Sequence, residues 1–406
     1  MHVCVIGAGI VGLASAYALQ QAGHAVSIID RASAPAMGAS GGNGAQLSYA
    51  YVQPLADPGI WTSLPKLLLD SHSPLHVRWQ LDPQQWSWLL QFLRACNAST
   101  SRSTTASLLT LAAQSRAALE ATLQREQLSC DFHMPGKLVL QKTQAGLDAA
   151  ARQVALQEGL GGPAQRIVGA EEVAQIEPAL RNYVHRIAGA VYTPSECAID
   201  CRKLCEALLG LLQARGAKVL LGCEVQRLEL QGGSITGVQT THGLHQADHF
   251  VLAGGWESAQ LARPLGMKLP VYPLKGYSLT LEAGAAAAQL PQVSVTDSSR
   301  KVVFARIGSR MRVAGMVEIV GADQSLLYER VERLRQATRQ VFPQLDMPSD
   351  LQPWTGMRPA TPTGLPITGR WPGGPANLWL QTGHGALGLT LAFGSAQLLL
   401  QAMGAD

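Results

Sequence analysis

The sequence predicts an α/β protein: a Rossmann-like sheet that binds a dinucleotide, joined to a second domain on a mixed or antiparallel sheet. Three observations carry this expectation. The chain opens on an apolar run, a glycine-rich turn, a helical pattern and a second apolar run that ends on an acid. Apolar strand patterns running into small residues recur at 249–255 and 378–388. Hairpin patterns lie between them, at 224–240 and 302–315, and a purely parallel sheet does not use such connections.

The opening is the most specific element. His2-Val3-Cys4-Val5-Ile6 is a strand, followed at once by Gly7-Ala8-Gly9-Ile10-Val11-Gly12. A helix over 13–21 is kept slim by Ala14, Ala16 and Ala18, and Gly23 ends it. The strand Ala25-Val26-Ser27-Ile28-Ile29 then delivers Asp30, 18 residues after Gly12. Gly7 permits the tight turn, Gly9 lets a pyrophosphate approach the backbone, and Gly12 lets helix and strand pack closely. The helix N-terminus offers N–H groups and the positive end of its dipole to the phosphates. An acid at Asp30 accepts hydrogen bonds from a ribose. The motif alone does not separate FAD from NAD.

At 406 residues the chain is too long for one core, so two domains are expected. Composition is that of a soluble globular protein, 47% hydrophobic and 15% charged. The net charge of +4 is weak and its basic residues are dispersed, which argues against a nucleic-acid partner. No run of about 18 uncharged apolar residues is evident, and the first strand begins almost at the initiator Met, so neither a membrane span nor a signal peptide is expected. The expected compartment is the cytoplasm. Seven cysteines, an odd count, read as free thiols.

After Asp30 the stretch Gly38-Ala39-Ser40-Gly41-Gly42-Asn43-Gly44-Ala45-Gln46-Leu47-Ser48 has little bulk, which suits a loop wrapped closely on a ligand. Residues 51–105 differ. Pro54, Pro58, Pro65 and Pro74 break the first half, and Ile60-Trp61, Leu64, Leu67-Leu68-Leu69 and Leu75 supply apolar anchors. Trp86, Trp88, Leu89, Leu90, Phe92 and Leu93 then crowd one helical stretch. It reads either as a buried helix or as an apolar surface that touches a membrane or a partner.

Helices are predicted over 103–128, 144–158, 171–177 (stopped by Pro178), 201–214 and 324–341, with a closing helix over 389–403. Strands are predicted over 137–140, 187–193, 218–221, 224–230, 234–240, 249–253, 268–280, 302–306, 311–315 and 378–381. Cys197, Cys201 and Cys205 at four-residue spacing would share a helix face if that helix began early, and read as core cysteines rather than zinc ligands. His242, His245 and His249 straddle a turn without a carboxylate cluster, so no metal is assigned.

Gly383-His384-Gly385-Ala386-Leu387-Gly388 is a second glycine-rich strand-to-helix junction, again able to face a negative group. His384 inside it is a catalytic candidate or a structural imidazole. Arg358, between Gly356 and Pro359, is either a surface arginine or a guanidinium poised for a carboxylate. The residues by themselves leave both choices open.

These segments occur together in one order: 5–12, 40–48, Tyr272-Pro273-Leu274-Lys275-Gly276-Tyr277-Ser278, Trp354-Thr355-Gly356-Met357-Arg358-Pro359 and Thr382-Gly383-His384-Gly385. In that order, from about residue 1 to 402, the chain resembles the FAD-dependent D-amino-acid oxidase superfamily, nearest the bacterial D-amino-acid dehydrogenase (small subunit) type. Segments 272–278 and 315–321 discriminate most.

The resemblance implies non-covalent FAD. Gly7, Gly9, Ile10, Val11 and Gly12 would hold the pyrophosphate, with Asp30 and Arg31 at the adenosine end. Val225, Ala253, Gly254 and Trp256 would line the adenine half. Ser40, Asn43, Gly44, Gln46 and Leu47 would follow the path to the flavin, and Gly383, His384, Gly385, Leu387, Gly388, Leu389 and Thr390 would reach its pyrimidine side. Arg358 would bind the substrate carboxylate, with Tyr277 and Tyr51 covering the pocket. The implied chemistry is hydride transfer from the substrate Cα to flavin N5 without a dedicated base. The flavin loop at 41–45 is more glycine-rich than the type leads one to expect, which leaves the substrate open between an ordinary D-amino acid and a secondary amine such as D-proline or a hydroxyproline isomer.

The domains expected are an FAD-binding one from 1–52, 198–265 and 355–406 and a substrate domain from 53–197 and 266–354. A membrane quinone is the expected electron acceptor, with residues 55–95 as the membrane-facing part at the inner face of the cell membrane. The rivals are an oxygen-using oxidase of glycine, sarcosine or D-amino acids, a flavin subunit of a larger complex, and an NAD-binding reductase.

Overall fold

The computed structural model describes residues 1–61, 75–282, 284–348 and 351–404. The anchors at Leu64 and Leu67-Leu68-Leu69 lie outside them.

Two sheets organise the described chain. The first has six strands in the order Ile367–Gly369, Leu378–Thr382, His249–Leu252, His2–Ile6, Ala25–Asp30 and Lys218–Leu221. Val3 pairs with Val26 on one side and with His249 on the other, both in parallel register. The 367–369 strand alone runs antiparallel in this sheet. Its central strands are buried nearly throughout, which is why they read as unbroken apolar runs rather than alternating ones. The helices Ile10–Gln21, Cys201–Ala214 and Gly388–Gly404 share a core cluster with them, together with the long helix Ala98–Glu126.

The second sheet runs in the order Pro353–Ala360, Tyr272–Glu282, Arg310–Ile319, Val302–Ile307, Ser294–Asp297, Lys137–Gln141, Gly189–Thr193 and Arg166–Gly169, with Leu75–Val77 added beside Arg310–Ile319. Parallel and antiparallel pairs are mixed within it. One face carries Tyr277, Leu279, Leu281, Phe304 and Val313 against Val331, Leu334 and Phe342 of and beyond the helix Tyr328–Val341. The other face looks toward the loop at 41–51.

The structure departs from the sequence expectation in several places. The long helix begins at Ala98 rather than near 103, because Asn97 caps it: its Oδ1 accepts from the Thr100 N–H at 2.9 Å. The Ser/Thr-rich first turns hide that start. The polar helix begins only at Tyr328. Cys197 sits in the short strand Cys197–Ala198, paired with Gln46–Leu47, while Asp200 caps the helix holding Cys201 and Cys205. The three therefore do not share a helix face, although all seven thiols are buried and free.

The closing helix is, by length and composition, able to cross a membrane, which the sequence reading missed. In the fold it is core: Leu391, Ala392, Phe393 and Leu399 are buried between the first helix and the long one. Gly394 makes that closeness possible. A Cβ there would stand 2.7 Å from the Leu111 carbonyl oxygen and 2.9 Å from Leu111 Cδ1. Gly394→Val should therefore lower stability by about 2–3 kcal/mol despite removing a helical glycine. A thermal or urea transition no lower than that of the native chain would refute the packing argument.

Candidate active site

The site begins at the end of the first strand. Gly7 adopts φ +119°, and a Cβ on it would lie 2.5 Å from the Ala253 carbonyl oxygen. A Cβ on Gly12 would lie 2.0 Å from the Gly7 carbonyl oxygen. The strand, turn and helix can therefore close up only with glycine at both positions. The helix Ile10–Gln21 starts without a side-chain cap, and its one nearby hydroxyl, Ser40 Oγ, accepts from the Ile10 N–H at 3.0 Å. An uncapped helix start behind a side-chain-free turn fits a pyrophosphate.

Asp30 closes the next strand. Its carboxylate accepts from the Ala8 N–H at 2.6 Å and the Ala32 N–H at 2.8 Å, so it braces the turn while each oxygen keeps a lone pair for a ribose. Arg31 is instead committed to Glu257 at 2.7 Å on the rim. Ala253 and Gly254 lie directly under Gly7, with Trp256 and Val225 packed on the same apolar cluster beside them.

The loop after Ser40 is held from both sheets. Arg312 Nη1 donates to the carbonyls of Gly41 (3.1 Å) and Asn43 (2.9 Å). The Trp354 indole lies against Gly42, where a Cβ would stand 2.0 Å from its ring, and Val303 fills the space in front of Gly44. Gln46 Nε2 donates to the carbonyls of Val295 and Phe304, and Leu47 is buried in the core, so these two tie the loop to its surroundings through their side chains. The Ser48 N–H reaches Thr390 Oγ1 at 3.2 Å, and Glu196 accepts from the N–H groups of Tyr49 and Ala50 at 2.9 and 2.6 Å. Lys137 Nζ donates to Ser48 Oγ at 2.7 Å and lies 4.4 Å from the Tyr51 ring centroid. Burial pushes that ammonium down to about 8. Tyr51 is 36% exposed.

The second junction follows the Leu378–Thr382 strand. Gly383 (φ +82°) and Gly385 (φ +54°) turn the chain, and the helix Gly388–Gly404 starts over Val11. His384 is turned into the protein interior. It is buried, its Nε2 lies 2.9 Å from Ser395 Oγ, and burial pushes its pKa down to about 4, so the imidazole is neutral. Of the two readings of His384, this environment supports the structural one. Leu387 and Leu389 join the apolar core cluster of the same helix.

The cavity side of the second sheet is read off strand alternation. Gly276 pairs with Gly356, and the Arg358 guanidinium occupies the place of a Gly276 side chain, 2.2 Å from where its Cβ would be. Trp354 fills the corresponding place at Gly356. Trp354, Gly356 and Arg358 share a face, as does Gly276 across the pair. Tyr277, one residue on, must point the other way. It packs in the core against the 328–341 helix and donates its hydroxyl to Glu318 Oε2 at 2.7 Å. The expectation that Tyr277 covers the pocket is therefore corrected. Sequence reasoning also passed over Arg312 and Trp354. The alternation Arg310-Met311-Arg312-Val313-Ala314 was the available signal for a polar face on an otherwise apolar strand.

With this geometry in place, comparison with known proteins is informative. Residues 2–402 match the family described as FAD dependent oxidoreductase, and the chain belongs to it. It is similar to D-amino acid dehydrogenase 2 of Pseudomonas aeruginosa, 45% identical over 406 residues, covering 99% of this chain and 95% of the relative. D-amino acid dehydrogenase of Cereibacter sphaeroides is 39% identical over 399 residues, covering 98% and 91%. Among solved structures, glycine oxidase from Geobacillus kaustophilus superposes with a TM-score of 0.78 at 21% identity, covering 100% of this chain and 94% of that one. L-proline dehydrogenase from P. horikoshii gives 0.75 at 17%, covering 100% and 93%. The structural likenesses establish the fold. The protein is an FAD-dependent oxidoreductase, and the cradle at Gly7, Gly9, Gly12 and Asp30 suits that cofactor.

A neutral His384 makes a pH prediction. Between about pH 4 and 6.5 only the unfolded chain takes the proton, so native stability falls as pH drops through that window. His384→Asn should remove up to about 3 kcal/mol of that acid loss while leaving the shape of the pH–activity profile unchanged. Denaturant titrations at pH 4, 5, 6 and 7 measure the first effect. An activity profile that loses a limb near pH 6 in the variant would restore His384 as a catalytic group.

Proposed function

We propose that the protein is a D-amino-acid dehydrogenase: it oxidises the Cα–N bond of a D-amino acid, and the released imino acid hydrolyses to a 2-oxo acid and ammonia. The observation that carries this reading is Arg358. Its guanidinium lies over Gly276 with one hydrogen bond, to the Met316 carbonyl at 2.8 Å, and no ion pair with any carboxylate among the described residues. Burial pushes it down to about 10. The guanidinium is half-buried, and a substrate carboxylate supplies the bidentate partner that the described chain does not. The names of the relatives at 39–45% identity add the D-amino acid and the dehydrogenase character.

Bound FAD supplies the hydride acceptor, flavin N5. The chain supplies orientation. Arg358 fixes the carboxylate at one end of the substrate, Trp354 and the Gly276–Gly356 floor set the wall beside it, and the pinned loop at 41–48 sets the height of the cofactor. Positioning of this kind is the main catalytic contribution a protein makes to cofactor chemistry. Arg358→Met should lower kcat/KM for a D-amino acid by about a hundredfold or more, roughly 3 kcal/mol, chiefly through KM, with FAD content unchanged. Anaerobic flavin bleaching over D- and L-amino acids, glycine, sarcosine and proline isomers tests the substrate class. Bleaching by glycine or sarcosine but by no D-amino acid would sink the reading.

We further propose a membrane quinone as acceptor, reached at the inner face of the cell membrane. The helix Pro83–Ala95 buries Trp88 and Phe92 but leaves Trp86 and Leu90 about half exposed, at 50% and 51%. Trp79 stacks on Trp86 at 5.1 Å, and Trp61, Leu55 and Leu81 are exposed on the same excursion. Exposed indoles beside leucines suit an interfacial contact. A cleft of about 440 Å³ lined by Arg94, Pro362, Leu365 and Trp371 opens beside this helix. The double variant Trp86→Glu, Leu90→Glu should lose quinone reduction and liposome binding while keeping dye-coupled turnover. Equal loss of both activities would mean that the patch only supports the fold.

A further inference from the structure

The same sheet face holds a second guanidinium without an ion pair among the described residues, and this one is buried. Arg312 is 8% exposed. Its Nη1 is shared between the carbonyls of Gly41 and Asn43, and its Nε has no hydrogen-bond partner among the described residues. It makes no ion pair there either, whereas Arg310, two residues back on the same face, is paired with Asp200. The strand thus had a carboxylate within reach and gave it to Arg310. Carbonyl dipoles alone do not neutralise a buried cation.

Position identifies the missing charge. Gly41 directly follows Ser40, whose hydroxyl binds the Ile10 N–H at the start of the phosphate-binding helix. Consecutive Cα atoms lie about 3.8 Å apart, so the Arg312 contact is roughly one residue from the pyrophosphate cradle. Asn43 is on the run of loop that continues to Ser48 and Thr390, on the way to the flavin. We propose that Arg312 is a counter-charge for bound FAD, its guanidinium set against negative charge on the cofactor. The charge has two sources on one molecule, the pyrophosphate and the reduced flavin ring. This role is distinct from that of Arg358, which faces the substrate: Arg312 pairs with Thr280 and the Arg358 guanidinium lies over Gly276, four positions away along the intervening strand, or roughly 13 Å.

The test uses the full chain as Arg312→Gln and Arg312→Lys, deflavinated and reconstituted. FAD affinity is measured by flavin fluorescence across a salt series, sulfite affinity by bleaching (its flavin adduct is anionic), and the midpoint potential by dye equilibration. A pyrophosphate partner predicts that the Gln variant binds FAD at least tenfold more weakly with a shallower salt dependence. A reduced-flavin partner predicts near-native FAD binding but at least tenfold weaker sulfite binding and a lower potential. Either result sustains the proposal, with the Lys variant recovering most of the loss because it keeps the charge. Native values of all three in the Gln variant overturn it. So does equal impairment of Gln and Lys variants with the native salt slope, which marks Arg312 as a loop tether only. If the Gln variant does not fold, Arg312→Met takes its place as the charge-removing variant and is read by the same outcomes.

Discussion

The arrangement depends on positive charge that the protein leaves uncompensated on one face of one sheet. On the helix-covered face the charges are settled internally: Arg330 pairs with Glu318 at 2.6 Å, Tyr277 donates to the same carboxylate, and Lys275 lies 3.9 Å from Asp323. On the opposite face Arg310 pairs with Asp200, while Arg312 and Arg358 meet only backbone carbonyls among the described residues. Removing an ion from water costs several kcal/mol unless a partner repays it. Two guanidinia left without ion pairs on a face where Arg310 has one suit anionic ligands there. The bound cofactor and substrate complete the electrostatics of the fold rather than decorate it.

Glycine makes room for those charges. Gly276 and Gly356 face each other across two strands, and each yields its side-chain volume to a neighbour, the guanidinium of Arg358 in one case and the indole of Trp354 in the other. Gly42 does the same for the other contact of that indole. The glycine-rich loop is therefore not slack chain. Arg312, Gln46, Glu196, Thr390 and Trp354 hold it at separate points drawn from both sheets, so the cofactor's path and the substrate's floor share one set of restraints.

What could be read from the sequence follows the range of the interactions. The cradle at residues 7–30 was legible because its chemistry is local: a turn, a helix start and an acid within one βαβ unit. Arg358 was even on its own residues and became a proposed carboxylate ligand through the resemblance; a guanidinium with no ion pair among the described residues supports that reading. Tyr277 came as a pocket wall with the resemblance alone, while strand alternation sends it to the opposite face. Arg312 and Trp354 were missed because their partners in the 41–44 loop lie some 270 and 310 positions away, beyond any periodicity. His384 and the early start at Ala98 were hidden for a smaller reason, a contact with Ser395 and a hydrogen bond accepted by Asn97 that composition does not reveal.

The protonation states around the site point to how such an enzyme works. Arg312 and Arg358 remain cationic across the physiological range even with burial opposing them, since Arg358 is displaced only to about 10. His384 is neutral, with a pKa near 4, and the Tyr277 hydroxyl is held protonated by burial and by its bond to Glu318. None of these groups is poised to exchange a proton near pH 7. Lys137, lowered to about 8, is the exception, and its ammonium is spent on Ser48 and the Tyr51 ring at the foot of the loop. A site with fixed charges and few titrating groups does not drive acid–base chemistry. It sets distances and potentials, and a reaction in which a carbon-bound hydrogen leaves with its electron pair asks for little else.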